Sequence, residues 1–153
     1  MRMLQLKVPP VAVTLLFVGL IWLVARSLPG PTCTGAACTV LAGGLAGLGG
    51  AIALAGVWQF RRARTTVHPL RPETASTLVT TGVYRFTRNP MYLGLLLALF
   101  GWAILLGQPA ALLLAAGYVP VMNRLQIGPE ENALRTRFGA AFNAYQSRVR
   151  RWL

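Results

Sequence analysis

The sequence predicts an all-α integral membrane protein with four transmembrane helices and a cytoplasmic interfacial helix at its C-terminal end. Of its 153 residues, 55% are hydrophobic and only 12% are charged, whereas soluble domains carry about 25% charged residues. Four stretches approach the ~20 apolar residues that a bilayer span requires, and basic residues collect at the ends of these stretches. The length fits one integral membrane domain, 1–153.

The first two spans are predicted at about 8–28 and about 40–60. The first is long enough to cross and lacks a small-residue cleavage site, so a signal peptide is not expected. The second is rich in small residues from Gly43 onward, which is typical of close helix packing in lipid; a groove for a lipid tail or cofactor is the alternative. Internal packing and a dimer both suit this face, so the oligomeric state stays open. Cys33 and Cys38 lie in the loop between the spans and can form a disulfide in an oxidising compartment.

The third and fourth spans, 91–107 and 110–127, are short and share a Gly-Gln-Pro turn, which predicts a tight hairpin. The loop at 61–90 is predicted to be cytoplasmic, extended around Pro69 and Pro72, with a β-like or turn segment at 78–84. Beyond Pro129, apolar residues recur every three or four positions and predict one interfacial helix over 130–152: Leu134, Phe138, Phe142, Tyr145, Val149 and Trp152. Gly139 inside it indicates a bend or a close contact.

The distribution of basic residues predicts the orientation. All fifteen Lys and Arg except Arg26 lie on one side of the four-span arrangement. The positive-inside rule therefore predicts a multi-pass inner membrane protein with both termini and the polar site in the cytoplasm. The net charge of +12 suits anionic lipid headgroups, and we expect no nucleic-acid partner because no aromatics interleave with the arginines. No metal site is expected, since the single His68 lies across the membrane from both cysteines and is interpreted as a surface residue.

Polar residues gather where the third span begins. Asn89 and Pro90 suit a helix start without any ligand, as N-cap and first-turn residues. That explanation does not extend to the arginines and tyrosines around them: Tyr84, Arg85, Arg88 and Tyr92. A helix N-terminus with arginines nearby can bind a carboxylate or a phosphate.

Two of the chain's three acidic residues, Glu130 and Glu131, follow the fourth span. Acidic residues are favoured in the first turn of a helix, which is one explanation for the pair. The hairpin, however, returns both to the membrane face of Arg88 and Tyr92. Two carboxylates beside arginines can hold a ligand that carries both a cation and a carboxylate, and S-adenosylmethionine is such a ligand.

The segment from Gly82 to Gly94, the hairpin, and the Pro-Glu-Glu motif with Leu134, Phe138 and Gly139 after it resemble the isoprenylcysteine carboxyl methyltransferase family. They also resemble the related phosphatidylethanolamine N-methyltransferases, and the resemblance covers roughly 65–153. It implies an S-adenosylmethionine pocket built from the third-span turn and the Glu-Glu pair and roofed by the C-terminal segment. With Tyr84 added from the residue pattern, the cofactor-binding candidates are Tyr84, Arg88, Asn89, Pro90, Tyr92, Leu93, Glu130 and Glu131.

The predicted function is methyl transfer from S-adenosylmethionine to a lipophilic acceptor that enters from the bilayer, as in isoprenylcysteine carboxyl methyltransferases. Arg85, Arg88 and Tyr92 are the catalytic candidates: an arginine orients a carboxylate acceptor, and Tyr92 is one candidate for deprotonating an amine. The scarcity of bases favours a carboxylate or thiolate acceptor, whereas Asn89 matches the phospholipid enzymes. Phospholipid, amine or thiol methylation, an NADPH-dependent membrane reductase and a non-catalytic membrane scaffold are the alternatives.

Overall fold

The computed structural model describes residues 8–28, 33, 35–63 and 76–153, and these form helices and no strands. The all-helical prediction is therefore confirmed for this part of the chain. The elements, in order, are α1 (Pro10–Ser27), α2 (Ala36–Arg62), a 3₁₀ turn (Gly82–Arg85), α3 (Pro90–Leu106), α4 (Pro109–Met122), a π turn (Asn123–Ile127), α5 (Gly128–Phe138) and α6 (Ala140–Arg148).

Three helical stretches are long and apolar enough to cross a membrane: Pro10–Ser27, Ala36–Arg62 and the continuous stretch Pro109–Phe138. Helix α3 is also apolar but has 17 residues, or about 26 Å at 1.5 Å per residue, slightly less than a ~30 Å hydrocarbon core. Large apolar side chains on α1, α2 and α4 are more than half exposed, as expected for a surface covered by lipid: Val11, Leu15, Val40, Leu54 and Leu113. The protein is thus a membrane protein, while the count of four spans and the orientation stay predictions.

Helices α2 and α3 pack in antiparallel directions through glycines. The carbonyl oxygen of Gly94 occupies the space that a side chain on Gly49 would need, and the carbonyl of Gly49 does the same for Gly94. Near the other end of α3, a Cβ on Gly101 would lie 2.7 Å from the carbonyl oxygen of Ala42. The interpretation of the glycine-rich second span as a packing face is therefore confirmed along this side of α2.

Helices α1, α3 and α4 enclose the main apolar core. The rings of Phe17 and Tyr118 meet edge to face, with centroids 5.3 Å apart. The Tyr118 hydroxyl is paired with the Thr14 hydroxyl at 2.9 Å, so this buried phenol is satisfied inside the bundle. The other core residues are apolar and buried: Val13, Ile21, Tyr92, Leu96, Leu99, Ala103, Ala111, Ala115, Met122 and Ile127.

The tight hairpin predicted between the third and fourth spans is confirmed. Helix α3 ends at Leu106, and α4 begins at Pro109 with the Gln108 side chain accepting a hydrogen bond from the Ala110 N–H. Gln108 also donates to the Leu28 carbonyl at 2.9 Å, and the Gly107 carbonyl accepts from the Cys33 N–H at 3.1 Å. The end of α1 and the inter-span loop are thereby attached to this turn.

The first inter-span loop is shorter than predicted. Helix α2 begins at Ala36 rather than near Val40, so Cys38 lies in its first turn, where it forms a disulfide with Cys33. Helix α2 extends through Arg62, two residues into the predicted loop 61–90. The predictions for Pro69, Pro72 and His68 concern residues outside those that the structure describes.

The segment predicted at 78–84 as β-like or a turn contains no strand, and its last residues form a turn, which agrees with the second alternative. It leads into the 3₁₀ turn, which begins at Gly82 with φ 60°. Two features require glycine at this position. The positive φ is unfavourable for other residues, and the Gln59 side chain occupies the space that a Cβ would need. The glycine of the motif therefore seats the 3₁₀ turn against the end of α2.

The prediction of one C-terminal helix over 130–152 is wrong at both ends and in the middle. Helix α4 continues into α5 through the π turn, where the Gly128 N–H donates to the Asn123 carbonyl. Pro129 has no N–H for the carbonyl four residues before it, and a π turn accommodates that loss without ending the helix.

The helix does end at Gly139, whose φ of 50° and ψ of −121° are not helical. A Cβ at Gly139 would have no neighbour within 4 Å, so the glycine provides a bend and not a close contact. Helix α6 then runs to Arg148, and Val149 is extended. The predicted apolar stripe survives the break, because Phe142 and Tyr145 are buried.

Candidate functional site

The predicted site residues collect at one end of the helical bundle, where α3 and α5 begin and the C-terminal residues return. We call residues 149–152 the C-terminal strap. The disulfide lies at the other end of α3, because Cys33 contacts Gly107 there. The hairpin thus brings the motif at 88–92 and the Glu-Glu pair together, as the sequence predicted.

Glu131 is buried and fully engaged by two arginines. Its Oε1 accepts from Arg88 Nη2 at 2.7 Å and from Arg151 Nε at 3.1 Å, while its Oε2 accepts from Arg151 Nη2 at 2.5 Å. The hydrogen bond to Glu131 raises the pKa of the Arg151 guanidinium above its ordinary value. The negative charge of Glu131 is therefore more than compensated within the protein.

The Arg88 side chain is 11% exposed and is committed to the C-terminal region as well as to Glu131. Its Nη1 donates to the carbonyl of Val149 at 2.7 Å and to that of Gln146 at 3.0 Å. The Arg88 backbone N–H donates to the Arg150 carbonyl at 3.0 Å. An arginine used in this way fastens two chain segments together, and of its guanidinium nitrogens the Nε is buried without a hydrogen-bond partner in the described part of the chain.

Asn89 differs from its expected role as a side-chain N-cap. Its side chain makes no cap hydrogen bond to α3; instead its Nδ2 donates to the Arg151 carbonyl at 2.9 Å. Thr87 donates to the same carbonyl at 3.3 Å and accepts from the Asn89 N–H at 3.2 Å. Pro90 begins α3 as predicted and is buried, with its ring beside Gly56 of α2.

Glu130 has different surroundings from its neighbour. Its Oε1 accepts a hydrogen bond from the hydroxyl of Tyr92, a residue that is 6% exposed. Among the residues that the structure describes, no arginine or lysine forms an ion pair with Glu130. Glu130 is half-buried, and it lacks the cationic partner that carboxylates removed from water usually have.

Tyr84 adds an unpaired polar group close by. It is 4% exposed, its ring meets that of Phe60 edge to face at 5.3 Å, and its carbonyl accepts from the Tyr145 hydroxyl at 2.7 Å. Its own hydroxyl is buried without a hydrogen-bond partner in the described part of the chain. Burial raises the pKa of Tyr84, with smaller contributions from Tyr145 and Glu130, so the phenol is a neutral donor.

Two predicted site residues stand apart from these contacts. Arg85 is exposed, and its side chain makes no hydrogen bond or ion pair with the described residues. Leu93 is buried at 4% exposure, one position beyond Tyr92.

Three residues have roles at this site that no sequence pattern indicates: Arg151, Thr87 and Tyr145. Arg151 stood out only as one more basic residue near the C-terminus. Just before α3, Thr87 and Asn89 bind the backbone carbonyl of Arg151. A pattern of side chains in the sequence carries no signal for such a contact. Tyr145 belongs to the predicted apolar stripe, which gives no indication that its hydroxyl donates to the Tyr84 carbonyl.

The family model described as phospholipid methyltransferase matches residues 37–141 of the chain. An uncharacterised protein of Haemophilus influenzae is 43% identical over 63 residues, which are 41% of this chain and 100% of that protein. No solved structure matches the chain.

Proposed function

The chain belongs to the phospholipid methyltransferase family, and on that premise we propose that it is an S-adenosylmethionine-dependent integral membrane methyltransferase with a lipophilic acceptor. The observation that carries the proposal is the pairing of Glu130 with Tyr92. A half-buried carboxylate with a phenol donor and no cation among the described residues is suited to a cationic ligand. S-adenosylmethionine has two cationic groups, a sulfonium and an ammonium.

The donor set fits this cofactor. Glu130 would face a cationic group, the Tyr84 hydroxyl would donate to one of the ligand's acceptors, and aromatic rings favour a cation near their faces. When bound, S-adenosylmethionine supplies an electrophilic methyl group on its sulfonium. Pro90 and Leu93 are buried in the first turn of α3 and would form its apolar support.

The other cofactor candidates receive a different assignment within the proposal. Arg88, Asn89 and Glu131 bind one another or the C-terminal strap, so we assign them to holding the pocket in shape. This division leaves Tyr84, Tyr92 and Glu130 as the ligand-facing set. Their contribution is to position the reactants and to exclude water, and positioning can account for ~7–11 kcal/mol of a barrier.

The same geometry favours an acceptor that carries an amine. A carboxylate acceptor, as in the isoprenylcysteine enzymes, needs a cation that faces it. Both terminal nitrogens of Arg88 are bound within the protein, and Arg85 is exposed to solvent. An ammonium group would instead be attracted by Glu130, whose carboxylate can accept its proton. An amine-bearing lipid is therefore our first choice of acceptor, and a lipophilic carboxylate or thiolate is the second.

We further propose that α3 crosses the membrane as the fourth span, since it packs along α2 from Pro90 to Gly101. The site end would face the cytoplasm and the disulfide end the outside. The position of Cys33 and Cys38 at the far end of the bundle supports this orientation, because disulfides persist in oxidising compartments. A cytoplasmic site would receive its polar cofactor from the cytoplasm and its acceptor laterally from the bilayer.

The test uses purified full-length protein in lipid nanodiscs with methyl-labelled S-adenosylmethionine and host lipid extract. We expect label in the lipid fraction with the wild type and about 100-fold less with Glu130→Gln. A product stable to base would support an amine acceptor, and a base-labile ester would identify a carboxylate. Binding of NADPH without binding of S-adenosylmethionine would overturn the proposal in favour of a reductase, and binding of neither would favour a scaffold.

A further inference from the structure

We propose that Arg151 is a positioning residue, which fastens the C-terminal strap across the site end of the bundle and so holds Glu130 against Tyr92. The strap connects to three separate elements. It meets the start of α3 through Thr87 and Asn89, and the start of α5 through Glu131. It reaches the π turn through the Trp152 Nε1, which donates to Asn123 Oδ1 at 3.1 Å.

These attachments lie next to two of the three ligand-facing residues, Tyr92 and Glu130. Asn89 is three residues before Tyr92 at the start of α3, and Glu131 is the immediate neighbour of Glu130 at the start of α5. Because both glutamates are carried by the same helical turn, any shift that releases Glu131 also moves Glu130. The strap therefore fixes the relative positions of α3 and α5 at the point where Tyr92 meets Glu130.

Arg151 is the residue that joins the side-chain and backbone parts of this network. Its carbonyl accepts from Thr87 and Asn89, while its guanidinium binds both oxygens of Glu131. A fork of this kind fixes direction as well as distance, which a lysine ammonium cannot do. Arg88 cannot replace it, because a second nitrogen of Arg88 is already bound to the carbonyls of Gln146 and Val149.

The experiment compares wild type, Arg151→Ala and Arg151→Lys with the matched control Arg150→Ala in nanodiscs. Arg150 is adjacent, exposed and equally charged, and its side chain makes no hydrogen bond or ion pair with the described residues. Amide hydrogen exchange is followed in peptides covering 86–92 and 146–153. We expect exchange about tenfold faster in both peptides for Arg151→Ala, an intermediate value for Arg151→Lys, and no change for Arg150→Ala.

A second readout separates positioning from simple loss of stability, and it alone depends on the proposed function. Arg151→Ala should weaken S-adenosylmethionine binding by about tenfold, and Arg151→Lys should recover part of that loss. The thermal unfolding midpoint of Arg151→Lys should be close to that of the Arg150→Ala control. If Arg151→Ala is too unstable to purify, Arg151→Lys carries both readouts.

The outcomes are distinct. Unchanged exchange at 86–92 and 146–153 in both Arg151 variants would overturn the positioning role, whatever the ligand. Faster exchange with wild-type ligand affinity would also overturn it, because the strap would then not act on the site. Wild-type protein that binds no S-adenosylmethionine would instead refute the proposed function, while the exchange comparison would still decide whether Arg151 fastens the strap.

Discussion

Glu130 and Glu131 are neighbours in the chain, yet their surroundings are opposite. Glu131 is bound by Arg88 and Arg151, and each of its oxygens has at least one charged donor. Glu130 has a single phenol donor and no cationic partner among the described residues. The first arrangement is complete within the protein, whereas in the second we propose that a ligand supplies the missing cation.

From this contrast we expect Glu131 to serve the structure and Glu130 to serve ligand binding, although both belong to one sequence motif. A carboxylate saturated by arginines contributes to the structure, because removing one partner leaves a buried charge uncompensated. A carboxylate without a cation costs free energy in the empty protein and can recover it on binding. Substitutions on the Glu131 side should therefore change stability, and substitutions on the Glu130 side should change ligand binding and turnover.

The largest expected effect is on stability, from Arg88→Ala. This change leaves Glu131 with Arg151 as its one charged partner, and it removes the hydrogen bonds that Arg88 donates to the carbonyls of Gln146 and Val149. Breaking a buried pair typically costs about 3–5 kcal/mol, so the free energy of unfolding in detergent should fall by that order. Arg150→Ala is the matched control, and equal losses for the two variants would contradict a structural role for Arg88.

The next effect is on turnover, from Glu130→Gln. The amide keeps the size of the carboxylate and can still accept from Tyr92, so the thermal midpoint should change little. Loss of the negative charge should lower the rate of methyl transfer by about 100-fold. A variant that transfers methyl groups at the wild-type rate would remove the distinction between the two glutamates.

A substitution at the contact between α2 and α3, away from both glutamates, should change stability without changing ligand binding. Gly94→Ala inserts a methyl group against the Gly49 carbonyl of α2, and overpacking of this kind costs about 1–3 kcal/mol. The free energy of unfolding should fall without a change in ligand affinity per folded molecule. Gly47→Ala, at a position with no neighbour within 4 Å, should not lower the free energy of unfolding, because alanine is the better helix former, and should leave ligand affinity unchanged.

The smallest effect is expected from Tyr84→Phe. Removing a buried hydroxyl that has no partner in the described part of the chain should leave stability unchanged or slightly higher. Ligand affinity should fall by about fivefold, the equivalent of one hydrogen bond of about 1 kcal/mol. A clear loss of stability with unchanged affinity would show that the hydroxyl serves the fold and not the ligand.

Much of the fold could be predicted from the sequence, because apolar length and glycine placement act locally. The all-helical fold, the hairpin at Gly107 and the glycine face of α2 follow from such signals. The C-terminal region could not be predicted in the same way. Pro129 reads as a helix boundary, but a π turn absorbs it, and the helix ends instead at Gly139.

The sequence predicted which two motifs lie together, but not the contacts within them. The hairpin predicts that the Glu-Glu pair lies near the motif at 88–92, which the structure confirms, while the pairing of Tyr92 with Glu130 and of Arg88 with Glu131 is known from the structure alone. Arg151 helps to neutralise Glu131 and not Glu130. It reaches the site because the chain bends at Gly139 and is extended at Val149. Contacts of that kind arise from tertiary structure, so no local pattern distinguishes Arg151 from the exposed Arg150 beside it.

The most direct test of the central claim is calorimetric titration of S-adenosylmethionine into nanodisc-embedded wild type and Glu130→Gln under identical conditions. We predict saturable binding of one molecule per chain to the wild type and about 100-fold weaker binding to the variant. Equal affinity of the two proteins, or no binding by a folded wild type, would contradict the account.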